Sequence, residues 1–332
     1  MKTNLMLVCL FVCCFNNDTK AQVDPHFSQY YAYPMWLNPA LAGTAEASYR
    51  VTAVYRNQWS NVTNAFSTVG VSADFQTEKS INFGVNVLQQ TAGSGGYRYF
   101  NAQAAISYTG IRLGADGNHR IAFALQPGFI GRRFDESAFK GGDQWVPIIG
   151  YNPNIPTSDI LTKTSSLVFD LGAGLSYYNT SQENKITVFG GISASHLTQP
   201  EDPFLVKGSK SKLPVRYAVH AGARIILSDI VYFIPNALYM KQGTASETML
   251  GGYFQVAAGD EADVMLGAKY RIKDAISPFA GIVMNNQLMI GLSYDVTSSE
   301  LSKMAKGSNA FELSVTLFGQ KNNDNYYKCP RL

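Results

Sequence analysis

FDLGAGLSYY, residues 169–178, alternates with a period of two: Phe169, Leu171, Ala173, Leu175 and Tyr177 oppose Asp170, Gly172, Gly174, Ser176 and Tyr178. Successive side chains of a strand point to opposite faces, so this stretch reads as a strand with one apolar face and one small or polar face. The same alternation recurs along the chain. Val69, Val71, Ala73 and Phe75 oppose Thr68, Gly70, Ser72 and Asp74, and Phe83, Val85 and Val87 oppose Asn82, Gly84 and Asn86. Tyr217, Val219, Ala221, Ala223 and Ile225 oppose Arg216, Ala218, His220, Gly222 and Arg224. Leu288, Ile290, Leu292 and Tyr294 oppose Met289, Gly291, Ser293 and Asp295, and Phe311, Leu313, Val315 and Leu317 oppose Glu312, Ser314, Thr316 and Phe318.

About fourteen segments read as strands: 49–57, 66–75, 81–89, 97–109, 119–130, 166–178, 186–196, 215–226, 231–241, 247–257, 263–271, 275–284, 286–295 and 309–318. Most have the length of roughly 9–11 residues that a tilted strand needs to cross hydrocarbon. Half-buried soluble sheets alternate too, and a β-sandwich is the competing reading. A face rich in Gly and Ser with scattered charges instead suits the wall of a polar lumen, and an even strand count suits a single-chain bacterial barrel. The expected fold is all-β, a transmembrane antiparallel β-barrel over residues 49–318, with no internal repeat.

Loop lengths point the same way. With both termini periplasmic, connections after odd strands face outward and should be the long ones. The longest, 131–165, 197–214 and 296–308, follow the fifth, seventh and thirteenth strands, while short turns such as 227–230 and 258–262 follow even ones. The mid-length connection 110–118 is an exception.

Of 332 residues only 15% are charged, and the net charge is +3, so no electrostatic case for a nucleic-acid partner exists. Lys2 followed by the apolar run Leu5 to Phe15, too short for a helical span, reads as a signal peptide, 1–21, with cleavage after Ala21. A lipoprotein anchor at Cys13 or Cys14 lacks the small preceding residues it needs. Cys9, Cys13 and Cys14 leave with the signal, so the mature chain keeps Cys329 and forms no internal disulfide. No later apolar run is long enough for a transmembrane helix.

Residues 22–48 are not strand-like. Pro25, Pro34 and Pro39 interrupt any ladder, and Asp24-Pro25 and Asn38-Pro39 start turns. Phe27, Tyr30, Tyr31, Tyr33, Met35, Trp36 and Leu37 need burial. The segment is therefore either a plug or hatch inside the periplasmic end of the barrel, or a periplasmic lid over its mouth.

This segment resembles the start of the PorP/SprF family of type IX secretion-system membrane proteins. The resemblance rests on Asp24, Pro25, Phe27, Ser28, Gln29, Tyr30 and Pro34, then on Leu37, Asn38, Pro39, Ala40, Ala42 and Gly43. Val23 between Gln22 and Asp24 departs from the family pattern. Tyr55-Arg56-Asn57-Gln58-Trp59 and the tail with Cys329-Pro330-Arg331 also look family-like. The resemblance implies a Bacteroidetes-type outer-membrane barrel serving type IX secretion or gliding motility. It implies export or surface attachment of a secreted cargo such as an adhesin, and partners among the translocon, periplasmic ring or lipoproteins of the machine.

Searching for chemistry finds little. His26, His119, His196 and His220 fall in different elements without ligand spacing, so no metal, cofactor or catalytic residue is expected. His220, between Arg216 and Arg224 on a polar face, reads as part of a lumen hydrogen-bond network. Ser195 and His196 are adjacent, so their side chains point to opposite faces and form no catalytic pair. The glycine clusters at 93–96 and 141–142 read as loop punctuation, and Lys207, Lys210 and Lys212 as a solvated loop. The 131–165 connection combines Arg132, Arg133, Asp135, Glu136 and Asp143 with Phe134, Phe139, Trp145, Ile148, Ile149 and Tyr151. It either folds into the lumen, the favoured reading, or docks a protein, with Arg132, Arg133, Phe134 and Trp145 as contact residues. The tail, 319–332, should emerge in the periplasm.

The expected protein is thus a non-enzymatic outer-membrane barrel whose partner-binding segment spans 24–43. The rival is a fatty-acid-type transporter of hydrophobic molecules, a family with fourteen strands and a hatch carrying Asn-Pro-Ala, spelled here by Asn38-Pro39-Ala40. A barrel enzyme is a third, weaker reading.

Overall fold

A sheet edge leaves backbone N–H and C=O groups unpaired, and hydrocarbon offers them no partner. This chain removes both edges by pairing its first strand with its last. The computed structural model describes residues 24–45, 47–59, 66–93, 96–135, 138, 140–157, 163–181, 184–201, 212–259, 261–298 and 309–319. Its strands are β1 (Tyr49–Gln58), β2 (Phe66–Phe75), β3 (Ile81–Ala92), β4 (Tyr97–Leu113), β5 (His119–Arg133), β6 (Trp145–Val146), β7 (Gly150–Tyr151) and β8 (Ser165–Asn179). They continue as β9 (Ile186–Ser195), β10 (Arg216–Ser228), β11 (Val231–Gln242), β12 (Ala245–Ala257), β13 (Ala262–Arg271), β14 (Ala275–Met284), β15 (Leu288–Thr297) and β16 (Ala310–Phe318). Fourteen of them form one closed antiparallel barrel, sealed by β1 on β16 with Tyr55 opposite Leu313, while β6 and β7 make a separate small hairpin.

The barrel wall inverts the burial pattern of a water-soluble sheet. On β2, Val69, Val71 and Phe75 are exposed, whereas Thr68, Ser72 and Asp74 are buried. On β10, Tyr217 and Val219 face out, and Arg216, Ala218, His220 and Arg224 face in. On β16, Phe311 and Leu317 face out, and Glu312, Ser314 and Thr316 face in. An apolar exterior around a polar interior suits lipid outside and rules out the sandwich reading.

Connections sort by end. The long ones, 134–164, 196–215 and 298–309, share one mouth with the two-residue turn 243–244. The other mouth carries short turns, together with the start of β1 and the end of β16. The apparent exception at 110–118 shrinks, because β4 runs on to Leu113 after a register irregularity between Tyr108 and Ile111.

Inside the wall lies the N-terminal segment. Tyr30–Ala32 and Pro39–Leu41 are single 3-10 turns flanking a one-turn helix, α1 (Pro34–Leu37). Pro34 and Pro39 each occupy a first helical position, where the missing N–H costs nothing. Asn38 caps the second turn by accepting from the Ala40 N–H at 3.0 Å. Tyr30, Leu37 and Leu41 pack with Ala218, Leu238 and Met249 of the wall, and Phe27, Tyr33 and Trp36 with Val54, Leu88, Tyr99 and Ile130.

Candidate functional site

The residues singled out in the N-terminal segment, Asp24, Pro25, Phe27, Ser28, Gln29, Tyr30, Leu37, Asn38, Pro39, Ala40 and Gly43, are all buried in the lumen. The wall holds them at successive levels. At the short-turn end the Gly43 N–H donates to Asp74 Oδ2 at 2.8 Å. Arg50 pairs its Nε with Asp74 Oδ1 at 2.9 Å and donates to the Leu41 carbonyl at 2.8 Å. Gly43 has a φ of +71°, and a Cβ there would run into Asn82, so glycine is required twice over.

Asn38 occupies the middle and is fully buried. Its Nδ2 donates to the carbonyls of Leu175 at 3.0 Å and Ile192 at 3.3 Å, and lies 3.1 Å from His220 Nε2. Two wall glycines make the room: a Cβ on Gly191 would stand 2.6 Å from Asn38 Nδ2, and one on Gly174 would overlap Asn38 Oδ1. Ser193 donates to the Leu37 carbonyl at 2.7 Å and Ser176 to that of Ala40 at 3.3 Å. The Gly- and Ser-rich inner face is therefore a fitted seat as much as a watery lining. His220 does join a lumen network, and its Nδ1 lies 3.4 Å from the Tyr31 hydroxyl.

Above Asn38 sits a charged cluster that sequence reasoning missed. Arg56 on β1 bonds Glu312 on β16 and reaches Asp295 Oδ2 on β15 at 2.9 Å, and Arg271 on β13 reaches the same oxygen at 2.5 Å. The segment docks on these carboxylates. The Ser28 and Gln29 N–H groups donate to Glu312 at 2.6 and 2.8 Å, and the Ser28 hydroxyl donates to Asp295 at 2.6 Å. Lys269 donates to the Ser28 carbonyl at 2.9 Å and lies over the Tyr30 ring. His26 touches both Arg56 and Arg271. Its Nε2 lies 3.2 Å from an Arg56 guanidinium nitrogen. The available signal was isolated charges on otherwise small inward faces, but their partnership is invisible without the barrel's closure.

At the long-connection mouth Asp24 ends the described segment. Its Oδ2 meets His196 Nε2 at 2.6 Å and Arg216 at 3.2 Å, its N–H donates to Gln242 at 3.3 Å, and His196 Nδ1 meets Asp170 at 2.8 Å. Burial works against the Asp24 carboxylate, but His196 and Arg216 outweigh it and hold Asp24 down at about 2. Burial likewise opposes a charged His196, yet Asp24 and Asp170 raise it to about 9. His196, just beyond β9, takes a φ of +63°, which turns it inward, and Ser195 instead serves Arg216. Arg216 also stacks on Trp36, and the indole N–H donates to the Pro25 carbonyl at 3.0 Å.

The loop residues do not share one surface. Arg132 is buried on the inner face of β5, whereas its neighbour Arg133 is exposed. Phe134 packs on Tyr97 at 5.0 Å. Contrary to the expectation of folding into the lumen, the β6–β7 hairpin leaves Trp145, Ile148 and Ile149 exposed. Its base is organised by buried Gln144, which accepts from the Gly141 N–H and donates to the Ile155 carbonyl. Glu136, Phe139, Lys207, Lys210 and the tail from 320 onward, with Cys329, lie outside the described residues.

The profile of the family described as Type IX secretion system membrane protein PorP/SprF matches residues 19–317. No curated protein matches the chain. Among solved structures, the toluene transporter TbuX of Ralstonia pickettii is similar with a TM-score of 0.52 at 9% identity, over 86% of this chain and 93% of that one. The toluene transporter TodX of Pseudomonas putida is similar with a TM-score of 0.50 at 8% identity, over 88% and 93%. At such identities the likeness is one of fold.

Proposed function

This chain belongs to the PorP/SprF family of type IX secretion system membrane proteins, and from that premise we propose that it is a non-enzymatic accessory barrel of the outer membrane. It supports export or surface attachment of a secreted cargo protein such as an adhesin, and it works by contact with cargo and machine, not as an open conduit. The observation that carries this reading is the occupied lumen. Side chains and backbone of 24–44 are bonded to inward residues of β1, β2, β4, β8, β10, β13, β15 and β16, which supports reading the segment as a fixed plug. The exposed Trp145, Ile148 and Ile149 of the outward hairpin supply a contact surface.

The test is purification of the tagged protein from native outer membrane in mild detergent, beside a variant with Asn38, Pro39 and Ala40 replaced together. Co-purifying secretion components or one large surface protein, with export impaired in a variant that still assembles its barrel, is the expected result. Normal export by the variant overturns the role given to the segment.

A specific cavity favours a second reading, transport of small hydrophobic molecules. A small cavity of about 50 Å³ lies between the segment and β12–β16, walled by Tyr31, Tyr253, Met265, Phe279 and Met289, with Gln29 and Lys269 beside them. A purified monomer that carries a bound apolar molecule and no protein would favour this reading over the first.

A further inference from the structure

Asp24 and Tyr49 lie at opposite ends of the barrel. Strand register fixes both levels. β1 begins at Tyr49, opposite Phe75 of β2, where the short turns lie, and the Gly319 N–H donates to the Tyr49 carbonyl there. Asp24 is held by Gln242, Arg216 and His196. Gln242 and Ala245 flank the two-residue turn between β11 and β12, and Arg216 closes the long connection that His196 opens. All three belong to the mouth with the long connections.

The levels between them fall in chain order. Gly43 meets Asp74 near the short-turn end, and Asn38 meets Leu175 and Ile192 in mid-wall. Gln29 meets Ser293, Ser28 meets Asp295, and Asp24 meets Gln242 at the far end. The segment thus runs the length of the lumen. Asp24 itself stands at the long-connection mouth, with residues 25–44 filling the lumen on its other side. A cleft walled by Asp24, Pro25, His26, Arg216, Lys241 and Glu247 opens at that point.

Long connections of single-chain outer-membrane barrels face the cell exterior. We infer that the Asp24 end of the lumenal segment faces the cell surface, opposite the barrel's end at Gly319. The inference rests on the outer-membrane reading above, and it departs from the expectation of two periplasmic termini. A secreted protein arriving at this mouth meets a segment whose other end reaches the periplasmic face.

Single cysteines introduced in a Cys329→Ser background test this on intact cells with a membrane-impermeant maleimide. Val23→Cys reports the amino-terminal end, Ile149→Cys the long-connection mouth and Asp229→Cys the short-turn mouth. Val23→Cys and Ile149→Cys should label alike in intact cells, with Asp229→Cys labelled only after permeabilisation. If Val23→Cys needs permeabilisation while Ile149→Cys does not, the threading is wrong. If Ile149→Cys needs permeabilisation and Asp229→Cys does not, the membrane orientation is wrong. Either result overturns the inference.

Discussion

Replacing Asn38 with alanine should unseat the lumenal segment while leaving the barrel closed. The side chain accepts one bond, from the Ala40 N–H at 3.0 Å, and donates two, to Leu175 at 3.0 Å and Ile192 at 3.3 Å. Loss of the cap costs about 0.5–2 kcal/mol, and each buried amide–carbonyl bond about 1 kcal/mol. The total, about 2–4 kcal/mol, raises the unseated population roughly thirty- to several-hundred-fold at a tenfold change per 1.4 kcal/mol. None of these bonds joins one strand to the next, so the ladders from β1 to β16 should keep their strength. Amide hydrogen exchange in detergent separates the two. The amides of Leu37, Leu41 and Ala42, bonded within the segment's own turns, should exchange faster in Asn38→Ala, while amides of β1 and β16 keep their protection. Unchanged exchange in the segment would refute the argument that Asn38 holds it.

Gly174→Ala should have the same effect from the other side, because the added methyl overlaps Asn38 Oδ1, at a cost of about 1–3 kcal/mol for overpacking; equal segment protection in variant and wild type contradicts this. Arg56→Ala strips Glu312 and Asp295 of one buried cation and should cost about 3–5 kcal/mol, lowering the temperature at which the folded barrel band disappears on gels; an unmoved band counts against the cluster. The outer anchor should depend on pH at both extremes. Asp24, held at about 2, contributes anchoring present above 3.8 and lost as pH falls toward 2, whereas His196, raised to about 9, contributes anchoring complete below 6.5 and lost as pH rises through 9. Fluorescence of Trp36, left alone by Trp59→Phe and Trp145→Phe, should be flat from about pH 4 to 6.5 and drift on either side. His196→Gln should abolish the alkaline drift, and an alkaline drift that persists would assign it elsewhere.

The wall was legible because a strand has one period and each face one solvent. Val69, Val71 and Phe75 against Thr68, Ser72 and Asp74 needed no tertiary knowledge to sort. The segment was legible as something that must be buried, since Phe27, Tyr33 and Trp36 have no strand to sit on. Its path was not. Whether Asp24 lies above or below Asn38 depends on His196, Arg216 and Gln242, which are more than 170 residues away in sequence. The Arg56–Glu312 pair was hidden for the same reason, since it exists only where the ends of the sheet meet. His196 was misjudged through its neighbour: strand alternation was assumed for Ser195 and His196, but the chain has already left β9 at His196 and turned inward.

The seam between β1 and β16 sets an order of events during assembly. The segment enters the lumen at one mouth and ends at the other, so a finished barrel would have to be threaded. A sheet still open at β1 and β16 can instead wrap around it. Glu312 is on the last strand to be made, and its carboxylate takes the N–H groups of Ser28 and Gln29, which are made before any strand. In the finished barrel the strand that completes the sheet also carries the carboxylate that holds Ser28 and Gln29, so core and seam share one residue. Such contacts between distant parts of the chain form late, so the beginning of the chain waits on its end.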